Sequence, residues 1–435
     1  MSVLEPSELE RAEAERFAAV HFRWNFTVNV LDVAFFLLAL SMVSQTTIMP
    51  LLVRHLTDST LAIGLIPAIA SVGYLLPQLL IANYAEGLRR KKRFIQIISG
   101  IGERGPYLAT AVLVLALGDR APDVVLIGFF LLLAITNVAA GLGTPPWYDL
   151  IAKAIPANRR GLWAGVSRGL GSLLGIGGAA LAGHFLAAYG FPLGFGLCFL
   201  AASASLIVSW SALSLNREPI SVVTKPRVSL SAYLRRLPLI LQRDANYLRY
   251  LIARSIALLG SMGTGFFMVY GVERFGVEGQ MVGFLTGVLV GAQALGNLAL
   301  GALADRIGHR AILAGAATVT GLAAASVLVI PSAAWLALTF ALVGVATAGN
   351  LVSGLNIILE FCSAEDRPTY IGLTNTLMAP ATALAPIIGG ALVGVIGYRP
   401  MFGVAVALAL LGGSLLAAWV AEPRHSVRAQ TAPAV

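Results

Sequence analysis

The sequence predicts an all-α integral membrane protein with twelve transmembrane helices arranged as two pseudo-symmetric six-helix bundles. Three observations carry that prediction. Hydrophobic residues make up 57% of the 435 and charged residues only 12%, about half the roughly 25% of an ordinary globular chain, and mean hydropathy is +0.82. Apolar runs of about twenty residues, enough to cross a ~30 Å hydrocarbon core at ~1.5 Å per residue, recur along nearly the whole length. The second half of the chain also repeats features of the first at a nearly constant offset.

The runs fall at 28–53, 61–84, 94–117, 123–146, 161–188, 193–214, 249–272, 280–301, 311–330, 333–360, 370–397 and 400–420. They divide the chain into an N-terminal segment (1–27), a first bundle (28–214), a linker (215–248), a second bundle (249–420) and a tail (421–435). The head is Glu-rich helix-forming sequence without a basic n-region and cleavage site, so it reads as a retained segment rather than a signal peptide. The gaps alternate in character. Those at 54–60, 189–192 and 331–332 are short and nearly uncharged, whereas 85–93, 147–160, 215–248 and 302–310 are basic. Of the 30 Lys and Arg, 22 lie on the side of both termini and four (Arg54, Arg120, Arg274, Arg399) opposite. The positive-inside rule therefore predicts both termini in the cytoplasm of a plasma or inner membrane.

The formal charge of +9 follows from that topology and from contact with anionic lipid, and no basic patch with interleaved aromatics points to nucleic acid. In the linker, Ser229 is expected to cap a short interfacial helix with Leu230, Tyr233, Leu234 and Leu237 toward lipid and Arg235 and Arg236 toward phosphates. Asp244 is expected to cap the seventh span. Cys198 and Cys362 sit on separate spans and read as small packing residues.

An offset of 219 lays Ile63-Gly64-Leu65 on Val282-Gly283-Phe284, Gln78-Leu79 on Asn297-Leu298 and Ala85-Glu86 on Ala304-Asp305, and an offset of 207 lays 157–165 on 364–372. After the eighth run comes "GALADRIGHR", with Gly301, Leu303, Asp305, Arg306, Gly308 and Arg310; Glu86 belongs to its eroded first-half copy. Read as a turn, this stretch needs Gly301 for close helix approach and Gly308 for backbone freedom. The eleventh run contains "APIIGG", with Pro386, Gly389 and Gly390, and matching positions of the fifth hold Gly178, Ala179, Ala182 and Gly183. Small residues let helices approach and slide, and the Pro386 ring bends its helix.

Twelve spans in two related halves, a polar linker and the signature at 301–310 together resemble the major facilitator superfamily of secondary transporters, over roughly 28–420. His309 is a mild departure from that signature. The resemblance implies a monomeric carrier of a small molecule, working by alternating access in the lipid bilayer, with a proton gradient as the expected driving force. It further implies a latch in which Asp305 faces the amides that begin the fifth helix near Gly161, and Glu86 those that begin the eleventh near Tyr370. A solvated turn is the alternative. The "APIIGG" stretch is similar to a motif of exporters in this superfamily, with Ala385 in place of its first glycine and no proline in the first-half copy. Export and plain tight packing both stay open.

Ionisable residues inside spans each cost about 2.5–3.5 kcal/mol on insertion scales and need a partner or a cavity. Glu103 and Arg104 lie ~14 Å into the third span. As sequence neighbours they point about 100° apart, so each is expected to find a partner other than the other, in a structural network. Asp32 and Arg168, on the first and fifth spans, are expected to pair, with a coupling or substrate role set against a structural one. Arg254 is expected to snorkel toward lipid head groups. The remaining polar groups of the spans expected to line a cavity are mostly neutral, among them Gln45, Asn137, Asn350 and Asn375. They suggest a weakly polar or amphipathic cargo.

No His-Glu-x-x-His, Gly-x-Ser-x-Gly or phosphate-loop motif is present, and the five His are scattered, so no enzyme, cofactor or metal is expected. The expected function is secondary active transport, with an uncoupled facilitator or lipid-moving protein and a transport-dead sensor as alternatives.

Overall fold

A computed structural model describes residues 16–86, 90–218, 241–242, 244–362 and 367–423. The side chains at 79–80, 82–86, 157 and 367–369 lie outside that description. All described elements are helical. Eleven helices among the described residues are long and apolar enough to cross a membrane. The twelfth span, third in order, is Lys92–Ile97, a π-helical turn over Ile98–Arg104, and Gly105–Leu117. Pro106 explains the change of winding: it lacks the N–H that the Gly102 carbonyl would accept in an unbroken helix, and the Gly105 N–H bonds instead to the Gly100 carbonyl.

The first span begins earlier than hydropathy indicates and is broken. It runs from Phe22–Met42, loses helical form over 43–47, and resumes as Ile48–Leu56. Pro50 is the physical reason: without an N–H it cannot bond to Thr46, and its ring crowds that carbonyl. The seventh span is broken as well, into Ala245–Leu259, a 3-10 segment Gly260–Phe266, and Phe267–Phe275. The offset of 219 carries 43–47 onto 262–266, so the two halves share the break. Asp244 caps the seventh span as expected, accepting from the Tyr247 N–H at 2.8 Å. The linker helix expected from Ser229 lies outside the described residues.

Two boundaries differ from the hydropathy reading. The fourth helix continues to Ala154, because "WYDLIAKA" is helix-forming and its Asp149 and Lys153 pair one turn apart. The eighth helix, Gly279–Ile307, runs through most of the signature stretch, so Gly301–Arg306 are helical rather than a turn. Only Gly308 leaves the helix, at φ 94°, before His309–Val329 begins.

Compactness divides the chain into 1–44 with 69–228, and 45–68 with 229–435. The units therefore differ from the two covalent halves by one segment, 45–68, which packs with the second half. In the first unit, Phe22–Met42 packs against Arg160–Tyr189 and Leu193–Ser214. A Cβ on Gly171 would lie 2.6 Å from the Leu37 side chain, and one on Gly178 2.5 Å from Ser41 Oγ. Below them, Asn29 and Asn216 exchange side-chain hydrogen bonds of 3.0 and 2.6 Å, and Asn25 bonds to the Arg217 backbone through both ends of its amide. In the second unit, the 45–68 segment is fastened by Thr286 Oγ1 donating to Thr47 Oγ1 at 2.8 Å and by Thr60 Oγ1 donating to the Gly390 carbonyl at 2.8 Å. Arg54 also reaches Glu273 at 2.9 Å and pairs with Asp58, and the Tyr398 hydroxyl donates to Glu273 at 3.1 Å.

Candidate functional site

The first unit holds a buried cluster of charges. Asp32 stands on the inward face of the first span, two turns above Asn25 and within a turn of Asn29, and only 2% of it is exposed. The π turn of the third span delivers Arg104, 8% exposed, whose Nη2 lies 3.1 Å from Asp32 Oδ1. Ser209 of the sixth span donates to the same carboxylate oxygen at 2.6 Å and accepts from Arg104 Nη2 at 3.0 Å. Trp147 of the fourth span donates through Nε1 to Asp32 Oδ2 at 3.3 Å. The other guanidinium arm, Nη1, reaches Glu103 Oε2 at 3.0 Å, and the Ser99 hydroxyl donates to that oxygen at 2.6 Å. The Phe36 ring lies under the guanidinium, 5.3 Å from centroid to Cζ.

Two expectations are corrected here. Asp32 pairs with Arg104 rather than with Arg168, which is exposed on the fifth helix, on a face turned away from the buried Ser167. Glu103 and Arg104 do touch each other, because the π turn alters the angle between neighbours and the long arginine folds back along it. Each also has the further partner that was expected of it. With all three groups ionised, one arginine faces two carboxylates and the cluster carries a single net negative charge inside the membrane.

Next to this cluster, the Trp147 and Trp163 rings stand 6.0 Å apart, and Trp163 Nε1 and Ser167 Oγ are sealed from solvent without a hydrogen-bond partner. Both belong to the fifth helix, one turn apart. Ser209, Ser99 and Trp147 carried no signal in the sequence, since a lone hydroxyl or indole in an apolar run has no spacing to betray it. Asn25 and Asn29 did carry one, a four-residue repeat on one helix face, but Asn25 falls before the predicted start of the first span at 28 and only Asn29 falls inside it.

The other candidates are dispersed. Asn137 is buried and donates back to the Leu133 carbonyl at 2.8 Å. Asn350 does the same to Ala346 at 2.9 Å, leaving its Oδ1 sealed and unpartnered. Gln45 is half-buried in the break of the first span, and Asn375 is half-buried on the eleventh helix. Arg254 does not snorkel: it is 8% exposed, within the second unit. Among the signature residues, Leu303, Asp305 and Arg306 are exposed along the end of the eighth helix. Gly301 serves no close approach, since a Cβ there meets nothing within 4 Å. Gly308 is held to glycine twice over, by its positive φ and by Glu422, whose carboxyl carbon would lie 2.7 Å from a Cβ. Arg310 donates to the Ala417 and Val420 carbonyls at 2.9 and 2.7 Å and reaches Glu422 at 3.4 Å, tying this corner to the last helix. The Glu86 side chain lies outside the described residues.

On the eleventh helix, Gly389 and Gly390 are contact points: Cβ atoms there would lie 2.6 Å from the Met262 carbonyl and 2.7 Å from the Thr60 carbonyl. The carbonyl of Pro386 likewise abuts Gly64. Gly178 and Gly183 are buried on the fifth helix, Gly178 against the first. Among the described residues no group of His, Cys, Asp and Glu is arranged to hold a metal ion.

The family model of the Major Facilitator Superfamily matches residues 250–434, the half in which the signature at 301–310 is intact. That match covers residues 250–434 alone, and beyond it the likeness is one of fold. Solved structures of that fold cover nearly all of the chain. The nucleoside transporter NupG superposes with a TM-score of 0.65 at 16% identity, over 91% of this chain and 98% of its own. A D-xylose-proton symporter superposes at 0.68 and 13% identity, over 93% and 99%. A bacterial homologue of the human lysosomal transporter Spinster, in an inward-facing and unoccupied conformation, superposes at 0.60 and 14%, over 97% and 98%. No curated protein matches the chain in sequence. The chain therefore has the fold of these transporters, and eleven of its described helices are long and apolar enough to cross a membrane.

Proposed function

We propose that the protein carries a small, weakly polar or amphipathic molecule by alternating access and couples its movement to protons through Asp32, Glu103 and Arg104. The observation that supports coupling is the odd charge of that cluster. A buried ion costs several kcal/mol unless it is paired, and here two carboxylates compete for one guanidinium. One proton makes the cluster neutral. The proton belongs to the pair of carboxylates rather than to either alone, and Arg104 can settle on whichever one stays ionised. That exchange of partners would be felt on the first, third and sixth spans, which is the way a proton can bias a two-state carrier. The fold is used for proton symport by the xylose carrier noted above.

In this reading both termini face the cytoplasm, Asp305 and Glu86 serve as cytoplasmic latches, and the close-packed Pro386–Gly390 stretch supports export. The test is transport in proteoliposomes over a compound panel, with and without a pH gradient, comparing wild type with Asp32→Asn and Glu103→Gln. Either change makes the cluster neutral for good, so each should keep exchange at wild-type rates and lose gradient-driven accumulation by tenfold or more. Accumulation that survives in both variants would remove the proton role, and the uncoupled facilitator would take its place.

A further inference from the structure

Arg254 is the second buried arginine of the chain, and its surroundings differ from those of Arg104. It stands nine residues, or ~14 Å, into Ala245–Leu259 and is 8% exposed. One turn before it, Tyr250 is fixed between Tyr247 and Phe361, with ring centroids 6.3 and 5.3 Å away. Tyr247 is tied in turn to the eleventh helix, its hydroxyl 2.6 Å from Thr374 Oγ1 and 3.1 Å from the Tyr370 carbonyl. One turn after it, Ala257 packs directly on Gly412. The backbone that carries Arg254 is therefore held firmly, while its guanidinium makes no hydrogen bond or ion pair with any described residue.

Among the described residues no acidic side chain reaches it. Between 249 and 420 the acidic residues are Glu273, Glu278, Asp305, Glu360, Glu365 and Asp366, all at span ends or in loops. The two carboxylates within the membrane in the first half, Asp32 and Glu103, are already bound to Arg104. A desolvated guanidinium with five donors and no acceptor is costly to keep. Its natural complement is an anion brought from outside the chain.

We propose that Arg254 binds the transported molecule by a single anionic group, a carboxylate or a phosphoryl group, which the planar guanidinium can hold with two parallel hydrogen bonds. This rests on the transporter reading but not on proton coupling. It narrows the cargo from weakly polar to amphipathic with one negative end.

The test uses the full-length protein in maltoside micelles, without a gradient, so it reports even if coupling fails. Modification of Arg254 by phenylglyoxal is followed by peptide mass spectrometry in the presence of benzoate, phenyl phosphate, or uncharged benzamide at matched ionic strength. Benzoate or phenyl phosphate should slow modification at least tenfold, and benzamide should not. The thermal midpoint of ligand-free Arg254→Met should equal or exceed that of wild type, because no internal partner is lost, and its anion-induced rise in midpoint should vanish. Three results would overturn the proposal: equal modification with and without the two anions; a midpoint of Arg254→Met several degrees below wild type; or protection seen only in nanodiscs containing phosphatidylglycerol, which would assign the arginine to a lipid headgroup.

Discussion

Arg104 is the residue on which the first-half cluster depends, because it alone neutralises Asp32 and Glu103. Replacing it by Gln leaves two carboxylates facing each other in a buried site, and breaking a buried pair in this way costs about 3–5 kcal/mol. Arg104→Gln should therefore lower stability to chemical denaturation in detergent by about that amount, and adding Asp32→Asn should restore part of it. A coupling of well over ~0.5 kcal/mol in the double-mutant cycle is the expected result, and strict additivity would show that the two residues do not act as a unit. The charges themselves were legible in the sequence, since each ionisable group in an apolar run is conspicuous at its insertion cost. Their pairing was not. Which residue meets Asp32 depends on how helices are rotated about their axes, and a π turn placed just before Arg104 changes that rotation without changing composition. Arg254 was misread for the same reason: distance from a helix end was readable, but the inward direction of its side chain was not.

Among the elements, the fifth and eleventh helices show where small residues matter and where they do not. The 2.7 Å gap between a Cβ on Gly390 and the Thr60 carbonyl involves backbone on one side, which cannot swing away. Gly390→Ala should destabilise the protein by roughly 1–3 kcal/mol through overpacking. Gly301, in the body of Gly279–Ile307 with nothing near its Cα, should respond in the opposite direction. Gly301→Ala should gain up to about 1 kcal/mol from helix propensity alone. Thermal melting of the two variants side by side checks both signs, and a loss at Gly301 would mean that the helix end makes a close contact in another conformation. The spans were readable from hydropathy because a membrane crossing needs an unbroken apolar length. Helix ends that project beyond the hydrocarbon were not, as the fourth and eighth helices demonstrate: their last turns are polar but still helical, and hydropathy stops where the lipid stops.

At the scale of the molecule, the repeat was legible in sequence and reappears in the conformation, with breaks at equivalent places in the first and seventh spans. What the repeat hid is the grouping of 45–68 with the second half, which makes the chain pass between its compact units at 44–45 and 68–69 as well as in the linker at 228–229. The first crossing falls in the unwound stretch 43–47, and the second falls inside Thr60–Glu86 at 68–69, immediately after Pro67. Pro67 has no N–H to offer the Ile63 carbonyl, so this helix too is missing a hydrogen bond where it crosses. Both stretches thus lack helix hydrogen bonds within otherwise continuous spans, which makes them the places where these two spans bend most easily. Backbone amides at 43–47 should exchange with deuterium at least tenfold faster than those of 34–40, and a cargo that favours one conformation should slow them. The covalent chain itself, through Pro50 and Pro67, would then set where these two rods yield first.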